Sequence, residues 1–237
     1  MLENCEIAKE ELFYLLEEGR KKGDWQLILE PLLALRDFAI SQCEADKVQS
    51  YFDEALRIAS THQVMSIVNL LRSQAIQLTL TREFELAQNY LDQALSFSQK
   101  HHAVDREAWT RVDMAKVAFL AEDEGHVRDQ LLQSIDLFAY IREPRSIAQI
   151  MRKYAHFSVS WGLFDQASVL LGAADRAYRD HGYFLGAEEK SELQMVVNEL
   201  KSNMDESSWQ SGWGHGNNMQ IEDAIEFTRT TLLSSSD

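Results

Sequence analysis

Seven histidines are the side chains with which this sequence could most readily hold a metal ion: His62, His101, His102, His126, His156, His181 and His215. The sequence has no HExxH motif and no helical histidine–carboxylate cluster at i, i+4, so we predict no metal site. His101 and His102 are adjacent, and adjacent side chains point in different directions on a helix. Four of the histidines fall near predicted helix ends, where a partly cationic ring suits the helix dipole.

Runs of carboxylates are the other groups that could do chemistry: Glu10–Glu11, Glu17–Glu18, Glu122–Glu124 and Glu188–Glu189. Paired acids transfer protons efficiently only where a dry pocket perturbs their pKa values. These runs fall on polar helix faces or in turns, which indicates solvated surface. The sequence also lacks a GxSxG nucleophile motif and a GxxxxGK[ST] phosphate loop. We therefore predict that the chain is not an enzyme and uses no cofactor.

Composition limits the partners and the compartment. The net charge of −15 over 237 residues disfavours direct binding to nucleic acid, because phosphates repel such a surface. Cys5 and Cys43 have no CxxC spacing and indicate a reducing setting rather than a disulfide framework. No apolar run approaches the ~18 residues of a membrane span, and the N-terminus is acidic. The sequence thus predicts a cytoplasmic protein without membrane contact.

One helical pattern recurs with a period near 40 residues. In the segment 82–102, Ala87, Leu91 and Ala94 lie at i, i+4 and i+7, which is one face of a helix with small residues beside a large one. Similar triplets are Ala8/Leu12/Leu15, Val48/Phe52/Ala55, Arg128/Leu132/Ile135 and Ala167/Leu171/Ala174. A fixed period of this length predicts a stacked solenoid. Arg128 would occupy a small-residue position, so we expect looser packing there or an arginine that reaches outward.

Four helical hairpins follow a first helix at 2–22. The predicted helix pairs are 24–42 with 46–62, 64–80 with 82–102, 105–121 with 125–141, and 145–161 with 163–181. Pro31 predicts either a bend in its helix or a later start. The first helix has no helix before it to cover its apolar side chains. We expect an upstream segment or another subunit to cover them, with Ile7, Leu12 and Leu15 as interface candidates.

The predicted period breaks after Gly182. A helix is expected at 187–203, and a final helix at 220–233 followed by a frayed tail at 234–237. The stretch between the two helices has two tryptophans and the glycines Gly212, Gly214 and Gly216, which predict an ordered turn and no helix. We therefore divide the chain into repeats at 1–182 and a C-terminal cap at 183–237.

The hairpins resemble tetratricopeptide repeats, although the period is about 40 residues rather than about 34. This longer repeat is similar to those of bacterial STAND-class ATPase transcriptional regulators. The C-terminal third is similar to their tails at Leu170 to Ala174, Glu188, Asp205, Trp209, Trp213, Gly216, Met219 and Glu222 to Ile225. The resemblance implies an all-α, right-handed superhelical solenoid with a C-terminal helical cap. It also implies a sensor and protein-interaction arm without the family's ATPase activity.

The resemblance further implies a concave groove, lined by the first helix of each hairpin. When Ala75, Ala115 and Ala155 are taken as equivalent, the groove positions lie six before, three before and one after each of them. The groove candidates are Arg36, Asn69, Arg72, Trp109, Lys116, Gln149, Arg152 and His156. Basic and amide side chains in line would bind a carboxylate or the main-chain carbonyls of an extended peptide. The alternative is that they are exposed residues paired with neighbouring acids.

These patterns predict a non-catalytic scaffold that binds a protein or peptide, and the resemblance implies that it is the sensing or assembly arm of a bacterial regulatory system. Two alternatives stay open. The first is a homo-oligomerisation module that dimerises through the N-terminal helix. The second is a sensor that holds a small-molecule inducer between helices near Trp109 and His156.

Overall fold

The computed structural model describes residues 2–42 and 44–234, which form twelve α-helices and no strand. Cys43 and most of the predicted tail, at 235–237, lie outside the described residues. The helices are α1 (Leu2–Lys22), α2 (Trp25–Ser41), α3 (Ala45–Thr61), α4 (Ser66–Leu80), α5 (Phe84–Lys100), α6 (Val104–Leu120), α7 (Glu124–Tyr140), α8 (Pro144–Ser160), α9 (Phe164–Asp180), α10 (Ala187–Asn203), α11 (Glu206–Asn217) and α12 (Ile221–Ser234). The chain is an all-α helical repeat solenoid, as predicted.

The predicted hairpins are present as closely packed pairs: α2 with α3, α4 with α5, α6 with α7, and α8 with α9. The helix α1 packs on α2. Pro31 lies inside α2, which begins at Trp25, so the alternative of a later helix start is wrong. Within the described ranges no helix is long and apolar enough to cross a membrane.

The 40-residue period arises from helices of equal length joined by equal turns. Helices α5 to α9 each have 17 residues, and three residues join each of them to the next. The middle residue of each of these turns has positive φ: His102, Glu122, Arg142 and Gly162. The next N–H bonds to a carbonyl five residues back, as from Ala103 to Ser98 at 2.9 Å. This is the Schellman end of a helix.

The small–large–small face packs the hairpins together, with one correction of register. Ala87, Leu91 and Ala94 are fully buried, as predicted. Forty residues later the buried set includes Leu131 and Ser134, so the triplet placed at Arg128, Leu132 and Ile135 is shifted by one residue. Leucines at both 131 and 132 made the two registers look alike in sequence.

Arg128 does not reach outward. Its side chain is buried and its guanidinium lies 4.7 Å from the centre of the Trp161 ring. One amine donates to the Tyr154 hydroxyl at 3.3 Å, and another pairs with Glu124. The aromatic ring and the hydroxyl thus accommodate part of the guanidinium, although its Nε is buried without a hydrogen-bond partner among the described residues.

The apolar side chains of α1 divide between its own core and the solvent. Leu16, which was not part of the predicted triplet, is buried, and Gly19 allows α1 to approach Ile28 of α2. Leu12 is half-buried against the same core. Ile7 and Leu15 are 56% and 42% exposed. Phe13 and Tyr14 are exposed as well, so an uncovered apolar face is present on α1.

The spacing and the pairing of the helices both change after Gly182. Val104, Pro144 and Ala187 begin α6, α8 and α10 at intervals of 40 and 43 residues, and six residues instead of three join α9 to α10. The pairing differs because α11 packs on α9 much more extensively than on α10. The helix α12 packs on α7, α8 and α9.

The stretch predicted as a turn is the helix α11, and its glycines explain the error. A Cβ at Gly216 would overlap the Val169 carbonyl oxygen, and one at Gly172 of α9 would overlap the Trp213 carbonyl oxygen. The glycines thus let two helix backbones touch. Tertiary packing outweighs the low helix propensity of glycine here. Trp209 is buried in the core that also contains side chains of α9.

Candidate ligand-binding groove

Polar side chains on the first helices of the hairpins bind the next first helix along the chain. Arg36 of α2 donates to Ser73 at 2.9 Å and to Gln74 at 3.2 Å, both on α4. Arg72 of α4 donates to Asp113 of α6 at 2.6 Å. These contacts join residues 37 to 41 positions apart and therefore follow the repeat.

Because of these contacts, some of the basic residues predicted to line the groove are not available to a ligand. Arg36 is only 3% exposed, so its placement as a groove contact is not supported by the fold. Arg72 is neutralised by an acid, as the alternative interpretation predicts, but the pair is largely buried rather than exposed. Asn69 is exposed and accepts a hydrogen bond from Arg106 at 3.0 Å. These three residues hold neighbouring helices together.

Asp113 is the acid that the sequence analysis missed. Burial raises the pKa of its carboxyl, and the Arg72 guanidinium opposes that shift. Lys153 and Lys116 oppose it more weakly. The carboxylate therefore depends on surrounding cations to stay ionised in a largely buried position. Its position 41 residues after Arg72, close to one repeat, was the available sequence signal.

At the C-terminal end of the array, α8 holds α10 through two of the predicted groove residues. The Gln149 amide donates to the Glu189 carboxylate at 3.1 Å. Arg152 donates to the Glu189 main-chain carbonyl at 2.6 Å, and its second amine lies 3.7 Å from the carboxylate. Carboxylate and main-chain carbonyl are the two groups that the sequence analysis assigned to a peptide ligand. Here a helix of the same chain supplies both.

Glu189 stays ionised in this position. Partial burial opposes ionisation, but hydrogen bonds from the Gly186 N–H and from Gln149, together with the charge of Arg152, hold the pKa of the Glu189 carboxyl below its usual range. Gly186 precedes α10, so the same carboxylate also caps the start of the helix. The contact between α8 and α10 is therefore a charged one at neutral pH.

A cavity of about 380 Å³ lies where α6, α8, α9 and α10 meet. It brings together five of the eight predicted groove residues: Trp109, Lys116, Gln149, Arg152 and His156. The other lining residues are Phe119, Leu120, Lys153, Phe157, Leu171, Glu189, Glu192, Leu193 and Val196. We call this cavity the α10 pocket. Its volume falls within the range of roughly 300–1,000 Å³ that is typical of small-molecule sites.

Aromatic rings form one side of the α10 pocket. Phe119 of α6 stacks on Phe157 of α8 with ring centres 4.3 Å apart, and it meets His156 edge-on at 6.1 Å. Desolvation lowers the pKa of His156, an effect that Glu192 and Glu199 oppose and that Lys153 and Lys116 reinforce. The ring is therefore neutral at pH 7, and the charges of the pocket are those of its lysines, arginine and glutamates.

The aromatic pairing and the α10 glutamates were not predicted from the sequence. Glu189 lies 40 residues after Gln149, so the repeat spacing could have indicated this contact. Phe119 and Phe157 carried no comparable signal, because apolar residues recur on every helix. Among the described side chains, no group of three or more His, Cys, Asp or Glu residues could hold a metal ion.

The fold places the chain in the class of all-α helical repeat solenoids. A comparison with solved structures agrees with this class. The solved structure of BtubC (BKLC) from P. vanneervenii is similar, with a TM-score of 0.68 over 98% of this chain and 93% of that chain. The sequence identity is 14%, so the similarity concerns the fold alone. No protein-family model matches the chain. No curated protein matches it either.

Proposed function

We propose that this chain is a non-catalytic binding module whose groove, at α6 and α8, binds a helical segment of a partner protein. In this proposal the module is the sensing or assembly arm of a bacterial regulatory system, as its resemblance to STAND-class repeat regions suggests. The observation that supports the groove is the contact of Gln149 and Arg152 with Glu189. A surface that binds the carboxylate and carbonyl of one helix has the chemistry to bind another.

The packing of α10 supports an exchange of this kind. The helix α10 packs on α8 and α9 far less extensively than the two helices of any hairpin pack on each other. Met195 on the helix remains exposed. The helix contributes Val196 and Leu200 to the buried core. A partner helix that carries an acidic residue at the position of Glu189 and apolar residues at these two positions would replace α10 at modest cost.

A trans-binding experiment tests this proposal. A labelled peptide of residues 187–203 is titrated into the full chain carrying Glu189→Ala, which weakens the internal contact with Arg152. We expect the peptide to bind, as followed by fluorescence anisotropy. Adding Arg152→Glu to the chain should weaken binding about tenfold, since a charge-assisted contact is lost. A peptide that carries Glu189→Lys should recover affinity for that doubly changed chain.

The matched control is Arg142→Glu, a charge reversal in the exposed turn before α8. It should leave peptide affinity unchanged. Absence of binding to the Glu189→Ala chain contradicts the proposal. So does binding that responds equally to the two charge reversals, because such binding reflects net charge rather than the groove.

The exposed face of α1 favours a second candidate function, homodimerisation. Ile7 and Leu15 are exposed apolar side chains on one helix, and neither packs in the core of its own chain. The double variant Ile7→Glu/Leu15→Glu should convert a dimer to a monomer, measured as solution mass by light scattering during size-exclusion chromatography. Leu12 is unsuitable for this test because it packs partly on its own core.

The matched control for that experiment is Leu80→Glu, at another exposed leucine at the end of α4. It should leave the mass unchanged. A wild-type chain that is monomeric at every concentration excludes the dimer. A dimer that survives the double variant excludes α1 as its interface.

A further inference from the structure

Lys116 and Lys153 stand out in the α10 pocket because they are partly buried and interact with the Asp113 carboxylate only weakly, without direct contact. Lys116 lies on α6 and Lys153 on α8, and both line the cavity. Neither forms a hydrogen bond or ion pair with any side chain in the part of the chain that the structure describes. Withdrawing an ammonium from water without an acceptor is unfavourable, so a bound anion would stabilise both.

The charge of the pocket is opposite in sign to that of the whole chain. Its lining carries three cations, Lys116, Arg152 and Lys153, and two carboxylates, Glu189 and Glu192. Arg152 and Glu189 neutralise each other. The remainder is one positive charge in a chain of net charge −15. This excess matches a monoanion, whereas a dianion such as a phosphate ester would be left with an uncompensated charge beside Glu192.

The apolar lining of the pocket indicates which kind of apolar group the anion should carry. Trp109, Phe119 and Phe157 face the cavity from α6 and α8, and Leu193 and Val196 close it from α10. Aromatic rings prefer to pack against other rings, stacked with an offset or edge to face. A flat apolar group would therefore pack here, with its charged end directed towards the lysines.

We propose that the α10 pocket binds a small aromatic monocarboxylate, with its ring among Trp109, Phe119 and Leu193 and its carboxylate between Lys116 and Lys153. Such a ligand contacts α6, α8 and α10 together and therefore holds α10 in the groove. This inference concerns a different ligand from the partner helix proposed above and does not depend on it. If both hold, the small acid controls access of the partner to the groove.

The test uses probes that share a ring and differ in charge. Indole-3-acetate, indole-3-acetamide and tryptamine carry charges of −1, 0 and +1, and naphthalene-1-acetate with its amide supplies a second ring. Binding to the full wild-type chain is followed by saturation-transfer NMR and isothermal titration calorimetry. We expect both acids to bind at least tenfold more tightly than their amides, and the amine to bind most weakly. The acids should also raise the melting temperature of the chain.

The variant Lys116→Gln/Lys153→Gln should reduce affinity for the acids at least tenfold and leave affinity for the amides unchanged. Lys190→Gln/Lys201→Gln is the matched control, because it removes two exposed lysines of α10 outside the pocket. Circular dichroism confirms that each variant is folded. Failure of both acids to bind, equal binding of acid and amide, or equal loss of affinity in the two double variants each overturns the proposal.

Discussion

Replacing Gly216 with alanine lowers the free energy of unfolding by about 3 kcal/mol, because the new methyl group overlaps main-chain atoms of α9. The nearest atoms are the Val169 carbonyl oxygen and, at 2.7 Å, the Ala173 nitrogen. Backbone atoms of a helix cannot rotate away as a flexible side chain can, so α11 must separate from α9. Chemical denaturation, followed by far-UV circular dichroism and tryptophan fluorescence, measures the change.

Gly214→Ala is the matched control on the same helix. Its Cβ would have no heavy atom within 4 Å, so only helix propensity acts there. We expect it to stabilise the chain by up to about 1 kcal/mol. Gly172→Ala approaches the same junction from α9 and should resemble Gly216→Ala. Equal effects of the changes at Gly214 and Gly216 would mean that close backbone contact does not hold α11 in place.

Replacing Asp113 with alanine destabilises the chain by about 2 to 3 kcal/mol. The side chains of Arg72 and Asp113 are 19% and 13% exposed, so loss of the carboxylate leaves a largely buried guanidinium without its acceptor. This figure lies below the usual cost of breaking a fully buried pair, because some water reaches the site. Urea unfolding monitored by circular dichroism provides the measurement.

A double replacement distinguishes a lost ion pair from lost packing. Arg72→Met/Asp113→Leu keeps apolar volume and leaves no unpaired charge, so it should be less destabilising than Asp113→Ala. Arg106→Met is a matched control, since it breaks the more exposed contact with Asn69 and should change stability by less than about 1 kcal/mol. If the double variant is the least stable of the three, the contribution of the charge pair to stability is larger than this account allows.

The repeat pattern was enough to predict the helices and their pairing, because small residues beside large ones recur at a fixed distance. It could not fix the register of α7, where Leu131 and Leu132 suit the pattern almost equally and only the packed neighbours distinguish them. It also failed at α11. Glycine propensity is a local property, whereas the contact between Gly216 and α9 exists only in the folded chain.

The sequence was enough to predict where the groove residues lie in the repeat, but not which groups their side chains bind. Trp109, Lys116 and His156 line one cavity, as their assignment to groove positions suggests. Arg36 and Arg72 occupy related positions, yet they bind the following helix. Which of these two roles a basic side chain adopts depends on the acceptors that the next helix presents. Asp113 and Gln74 could be recognised as acceptors only after the helices were stacked.

Each turn of the array has a single residue of positive φ, and this turn also fixes the angle between the two helices that it joins. One residue inserted within a helix would rotate the rest of that helix by about 100° about its axis and turn its buried face towards water. An insertion of twenty residues adds one complete 17-residue helix with its three-residue turn and Schellman end. An insertion of forty residues adds a complete hairpin, so the alternation of first and second helices is kept as well. Such a chain can lengthen or shorten only in whole units. The length of its groove therefore changes only by the addition or loss of a whole hairpin. The hairpins that remain keep their own groove residues.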